Sequence, residues 1–109
     1  MLMTVTARHC EIAEDLRARA EQILDRLAHH ASRAVDGTVV FDMAAHKNHT
    51  SSFQAELRLH LTPGEILVAH GEAEDHRTAL DRAEDKLRHQ LERQLSRTRE
   101  RHKDPSTLA

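Results

Sequence analysis

Residues 84–103, EDKLRHQLERQLSRTRERHK, hold the densest positive charge in the chain. From Lys86 to Lys103 there are seven Lys and Arg (86, 88, 93, 97, 99, 101 and 103) against two Glu (92 and 100), a local balance of +5. The 109-residue chain has a formal charge of −2, so the remainder carries −7. Ammonium and guanidinium groups gathered in this way bind phosphates and carboxylates, and a charge split of this size points to nucleic acid or an acidic surface as the partner. Cations near a helix end also complement the helix dipole, so their number alone does not separate a binding surface from a solvated helix end. Their placement is more telling. On a wheel of about 100° per residue with Leu80 at zero, Leu80, Ala83, Leu87, Leu91 and Leu95 lie within about 60° of zero. Arg82, Lys86, His89, Arg93 and Arg97 fall between about 180° and 260°, while Asp81, Asp85 and Glu92 take a separate flank. The cations thus form a line about 22 Å long directed away from the apolar stripe, long enough to follow several phosphates.

The other chemically able residues form no recognisable constellation. Ten histidines include His46 and His49 in HKNH, His9 beside Cys10, and the adjacent His29 and His30. None has the paired-ligand spacing of a structural zinc site, so we expect no metal. Their number does make the net charge sensitive to pH between about 5 and 7. Cys10 stands next to Glu11, which disfavours a thiolate, and its neighbour His9 points the other way in an extended segment. GxSxG, phosphate-loop and HExxH patterns do not occur, and we expect no catalytic residues and no cofactor.

Composition narrows the setting further. With two Phe and neither Trp nor Tyr, the core must be aliphatic, and single-stranded bases have no aromatic platform on which to stack. The single cysteine cannot form an internal disulfide, as suits a reducing compartment. No apolar run approaches the roughly 20 residues needed to span a bilayer, and the N-terminus lacks a signal-peptide core. The expected location is cytoplasmic.

The elements that must carry the cationic line can be read in order. Met3, Val5 and Ala7 alternate with polar residues as a strand. Ile12, Leu16, Ala20, Ile23 and Leu27 recur at helical spacing, predicting a helix from about 12 to 30 with acids in its first turn. Asp36-Gly37 predicts a turn. Val39, Phe41 and Met43 share one face of a second strand, and 45–52 reads as a polar loop. Phe53, Ala55, Leu57, Leu59 and Leu61 alternate with Gln54, Glu56, Arg58 and His60, which implies a sheet with one buried and one wet face. Thr62-Pro63-Gly64 predicts a tight turn into a fourth strand, and the last helix begins near Asp75. The order β-α-β-β-β-α predicts an α+β two-layer sandwich, with two helices packed on one face of a four-stranded sheet. Residues 1–98 make one domain, and 99–109 read as a charged, flexible tail.

VTARHCEIAEDLRARAEQILDRL and GEILVAHGEAEDHRTALDRAEDKLRHQLERQ, with the strands between them, resemble the ribosome hibernation promoting factor and ribosome-associated inhibitor family over residues 3 to 98. The most specific parts are the EIAEDLR helix start and the series Glu74-Asp75, Ala79-Leu80-Asp81, Asp85-Lys86-Leu87 and Gln90-Leu91. The family fold has the same element order. The resemblance implies a non-enzymatic stress or stationary-phase factor that binds rRNA of the small ribosomal subunit in its decoding region and inhibits translation. It implies a short form or N-terminal domain, monomeric when free, acting on neither a membrane nor a small-molecule substrate. The family's basic second-helix positions fall on Lys86, His89 and Arg93, and Arg17 and Arg26 match basic positions of the first helix. His76 and Arg77 stand where the family usually has Met and Tyr, Ile23 replaces a frequent basic residue, and His89 replaces a frequent Arg. A protein-interaction module whose basic helix meets an acidic protein, such as a transcription factor, is the alternative.

Overall fold

The structure, a computed structural model, describes residues 1–31, 33–45 and 51–108, the side chains of 45, 51, 95 and 97–108 excepted. His46 and His49, and the greater part of the segment read as a polar loop, lie outside the described residues. The elements are β1 (Leu2–Ala7), α1 (Glu14–His30), β2 (Ala34–Ala45), β3 (Ser51–Leu61), β4 (Glu65–Ala73) and α2 (His76–Leu108). This is the expected β-α-β-β-β-α order and α+β class. Helix α2 continues through the segment read as a tail.

The sheet runs β1-β2-β3-β4, with β1 parallel to β2 and the other pairs antiparallel. One face is dry. Val39, Phe41, Ala55, Leu57, Leu59 and Ala69 are all 3 % exposed or less and form one cluster with Ile23, Leu24 and Leu27 of α1 and Leu80, Ala83, Leu87 and Leu91 of α2. Alternation put every second strand residue on this side, and the two helical stripes cover it. Each fully buried Leu, Ile or Phe contributes about 1.5–3 kcal/mol of transfer free energy. The fourth strand turns Leu67, Ala69, Gly71 and Ala73 inward and leaves Ile66 exposed. Met43 shares the face of Val39 and Phe41 but lies exposed at the sheet end.

Asp36-Gly37 is not a turn. Both residues sit inside β2, paired with Leu2 and Met3 on one side and with His60 and Leu59 on the other, just past an irregularity between Ala34 and Asp36. Gly37 is needed for packing: a Cβ there would stand 2.9 Å from Leu24 Cδ2 of the covering helix. Turn chemistry and close helix–strand approach select the same residue, which is why the dipeptide misled.

The two helix starts differ. Asp75 caps α2, accepting from the Thr78 N–H at 2.7 Å and the Thr78 hydroxyl at 2.9 Å. Ala13 precedes α1 with no side-chain cap, and Glu14 and Asp15 in the first turn supply the favourable charge. His76 takes a core position. It is 9 % exposed, edge-on to the rings of Phe41 and Phe53 at 5.4 and 4.8 Å. Its Nε2–H donates to the Asp42 carbonyl oxygen at 2.9 Å, since a carbonyl only accepts.

Candidate nucleic-acid interface

The apolar stripe fixes the rotation of α2, and the opposite side of the helix therefore faces solvent. Arg82, Lys86, His89 and Arg93 are all exposed along that side. Lys86, His89 and Arg93 have no hydrogen-bond or ion-pair partner among the described residues. The Arg97 side chain lies outside the described residues. Arg88, on the same helix, is held by Asp85 at 2.9 Å. The three unpaired groups keep their donors for an external partner, and contact with phosphates is driven by the counterions it releases.

Arg82 is different. Its Nη1 donates at 2.7 Å to the Glu72 carbonyl of β4, an edge strand. Gln90 does the same to the Val68 carbonyl at 2.8 Å, and Gln94 bonds the Glu65 carboxylate. These contacts stop the open edge of the sheet and pin α2 to it along about three turns. Arg82 is exposed and a guanidinium has five N–H donors, so it can hold the edge and still meet an anion.

The two first-helix candidates are not on this ridge. Arg17 is half-buried and its Nη1 donates to the Val5 carbonyl of β1, the other edge strand, at 3.1 Å. Arg26 is exposed but pairs with Glu84 of α2 at 3.3 Å. Arg19 makes a second cross-helix link, its Nε and Nη2 reaching Asp81 Oδ1 at 3.3 and 2.8 Å. The sequence did not single out Arg19 or Gln90 as positioning residues. Nothing in their spacing reveals a partner that only the folded chain brings near. Between the start of α1 and α2 an open cleft of about 480 Å³ is lined by Asp15, Leu16, Arg19, Gln22 and Arg77 among others.

The uncovered sheet face is a second polar surface. Strand register arranges it in rows: Leu2, Asp36, His60 and Ile66; then Thr4, Thr38, Arg58 and Val68; then Thr6, Val40, Glu56 and His70. Beyond these, Arg8, Asp42, Gln54 and Glu56 line a shallow depression with Arg58 and His70. His9 adopts a left-handed backbone, φ 57°, and sets Nδ1 at 3.1 Å from Asp42 Oδ1. Among the described residues no three His, Cys, Asp or Glu side chains are grouped to hold a metal ion. Cys10 is half-buried, and burial pushes its thiol up from the ordinary range.

The chain matches the family described as "Sigma 54 modulation protein / S30EA ribosomal protein" over residues 3–102, and so belongs to it. A curated relative, a ribosome hibernation promotion factor of Rhizobium meliloti (strain 1021), is 28 % identical over 102 residues. The match covers 94 % of this chain and 52 % of that relative, so the chain spans about half its length. The N-terminal domain of Thermus thermophilus Protein Y is similar in structure, with a TM-score of 0.70 and 29 % identity over 85 % of this chain and 98 % of that one. A ribosomal subunit interface protein of Coxiella burnetii shares the fold, with a TM-score of 0.73 and 20 % identity over 88 % and 99 % of the two chains.

Proposed function

We propose that this member of the family is a cytoplasmic ribosome-binding factor that lays the exposed ridge of α2 on rRNA phosphates of the small subunit. Arg82, Lys86, His89, Arg93 and Arg97 form the contact line. By occupying the decoding region in stress or stationary phase, the protein excludes mRNA and tRNA and holds the ribosome idle. It acts as a monomer, by occupancy rather than by catalysis. We take residues 1–98 as the binding domain, and 99–109, helical in α2 as far as Leu108, add positive charge.

The observation that carries this reading is the set of unpaired cations on one solvent-facing side of α2, in a chain whose relatives are named for ribosome hibernation and the subunit interface. Arg17 and Arg26 have partners within the chain: one stops the β1 edge and the other ties α1 to α2. The acidic remainder of the chain repels RNA from the wrong faces and so improves the orientation of docking.

Co-sedimentation with purified small subunits at two salt concentrations tests this. The parent protein pellets with the subunit at low salt, and less of it pellets as salt rises, because counterion release drives phosphate contacts. The triple reversal Lys86→Glu, Arg93→Glu, Arg97→Glu stays in the supernatant and relieves inhibition of cell-free translation. A triple variant that folds, pellets and inhibits like the parent at about 0.1 M salt overturns the proposal, since screening at that strength leaves contacts within roughly 10 Å effective. The family description also mentions sigma-54 modulation. If the ridge instead serves an acidic protein, the parent stays in the supernatant with purified ribosomes.

A further inference from the structure

The cationic ridge of α2 has a flank that the phosphate line does not use. As the helix advances it is tied step by step along the β4 edge: Arg82 to the Glu72 carbonyl, Gln90 to the Val68 carbonyl and Gln94 to the Glu65 carboxylate. Between the last two ties the surface sinks into a depression of about 230 Å³, lined by Leu67, Gln90, Arg93 and Gln94. On the helical wheel Gln90 and Gln94 lie at about 280° and 320°, next to the cations at about 180–260°. The depression therefore opens between the phosphate line and the sheet edge, and Arg93 belongs to both. Leu67 is half-buried, packed against the core, and offers an apolar floor. Gln90 uses one N–H of its Nε2 on the Val68 carbonyl, at 2.8 Å, which leaves its other N–H and its Oε1 for a ligand. Arg93 is exposed and has no partner among the described residues.

We propose that this depression receives one unpaired nucleobase of the RNA strand whose phosphates follow the ridge, with the Arg93 guanidinium against the face of the ring, Leu67 beneath it and the Gln90 carboxamide at its edge. The site presupposes the phosphate ridge proposed above and adds to it a contact with the base. Its volume lies below the roughly 300 Å³ at which sites for drug-sized molecules begin, so it suits a single heterocycle. Phe41 is buried and Phe53 is half-buried against His76, so neither ring is available to stack here. A guanidinium is planar and less strongly hydrated than an ammonium, and it stacks on bases where aromatic side chains are lacking. Its five N–H donors lie in that plane, so Arg93 can hold a phosphate by an edge while its face lies on the ring. A carboxamide presents a donor and an acceptor side by side, which matches the edge of adenine best. Bases in a double-stranded stem are stacked on one another, so the site selects a single-stranded segment or loop.

A fluorescein-labelled RNA dodecamer of alternating A and C, which cannot pair with itself, is compared with its counterpart lacking every base. Both are titrated by anisotropy against the protein across a salt series. The two strands carry the same phosphates, so the ridge gives both the same salt slope, and the base site shows as an affinity about tenfold higher for the strand with bases. Arg93→Lys keeps the charge and loses the plane. Its affinity for the strand with bases falls to within about twofold of that for the abasic strand, with the salt slope kept. Lys86→Gln, elsewhere on the ridge, weakens both strands alike and flattens the slope by about 0.7, and the tenfold ratio persists. Leu67→Ser removes the apolar floor and shrinks the ratio too. If that variant unfolds by circular dichroism, Arg93→Lys decides, since Arg93 is exposed and its exchange leaves the fold in place. Equal affinity for the two strands with a steep salt dependence overturns the base site and leaves the ridge standing. A ratio that survives Arg93→Lys overturns the base site as well. If neither strand shows salt-dependent binding, the ridge fails and the base site fails with it.

Discussion

Helix α1 rests on the sheet through side chains, whereas α2 rests on it through its backbone. Beneath α1, a Cβ on Gly37 would meet Leu24 Cδ2 at 2.9 Å and Met1 Cε at 3.3 Å, both the ends of flexible chains. Beneath α2, a Cβ on Gly71 would meet the Ala79 carbonyl oxygen at 1.9 Å and the Ala83 nitrogen at 2.7 Å. Helix α2 is further tied to the β4 edge by Arg82 and Gln90. The outer faces diverge as well. On α1, Glu14, Asp15, Glu21 and Asp25 are exposed against one exposed arginine, Arg26. On α2, Arg82, Lys86 and Arg93 are exposed in line. The buried stripe makes equal demands on both helices, so it cannot account for either difference. The helix bearing the cations is also the one whose position is fixed most closely, as a contact line that must match a rigid array of phosphates requires.

The largest expected effect breaks the seating. Gly71→Ala forces α2 off its strand and costs more than the about 1–3 kcal/mol usual for overpacking, whereas Gly37→Ala stays within that range because Leu24 can turn aside. Urea unfolding of the two variants measures the contrast, and equal losses would show that α2 is not held by its backbone. The inner stripes, by contrast, should match. Leu24→Ala and Leu87→Ala each remove a fully buried side chain and each cost about 2–5 kcal/mol.

The outer faces come next. Lys86→Glu with Arg93→Glu lowers small-subunit affinity by about tenfold or more, and the salt slope of binding loses about one unit per phosphate contact removed. Glu21→Lys with Asp25→Lys on α1 leaves affinity unchanged or slightly raised. Sedimentation across a salt series measures both, and equal losses would mean that net charge, not the ridge, governs binding.

How much of this could be read from the chain follows from the range of each interaction. The helices, the strands and the solvent-facing direction of Lys86, His89 and Arg93 follow from local periodicity, which two cleanly separated faces make unambiguous. Gly37 was misread because a turn and a close approach favour the same residue. The close seat of α2 on Gly71 depends on two segments meeting, and no local pattern records it. The role of Arg17 was hidden for the same reason: a sequence displays its charge but not the Val5 carbonyl that it serves. The pairs of His60 with Asp36 and of His70 with Glu56 needed the strand register, since each partner lies on a neighbouring strand.

A smaller contrast lies at the helix starts. Asp75 caps α2, and its carboxyl is held below the ordinary value chiefly by the Thr78 N–H. Its stabilising contribution is therefore complete above the unfolded carboxyl value near pH 4 and is lost as pH falls through the lower folded value. Asp75→Ala lowers the melting temperature by a few degrees at pH 7 and makes little difference well below the folded value, where the parent has lost the same charge. No such cap exists to lose at Ala13. Melting curves at the two pH values test the difference.

The smallest expected effect separates two arginines that composition treats alike. Arg17 and Arg93 are both helical, both cationic and both candidates for RNA contact. Arg17 is half-buried with Nη1 on the Val5 carbonyl, so its guanidinium satisfies a group that the β1 edge would otherwise leave to water. Arg93 is exposed and without a partner among the described residues. Arg17→Met keeps the aliphatic stem and removes the donor, so stability should fall by about 1 kcal/mol, the net worth of one such bond. Small-subunit affinity should not move. Arg93→Met should do the reverse, leaving unfolding within about 0.5 kcal/mol of the parent while weakening binding and flattening its salt dependence. Loss of affinity in Arg17→Met with stability intact would place RNA on α1 as well. The division of labour between a helix that closes a sheet edge and a helix that reaches outward would then fail.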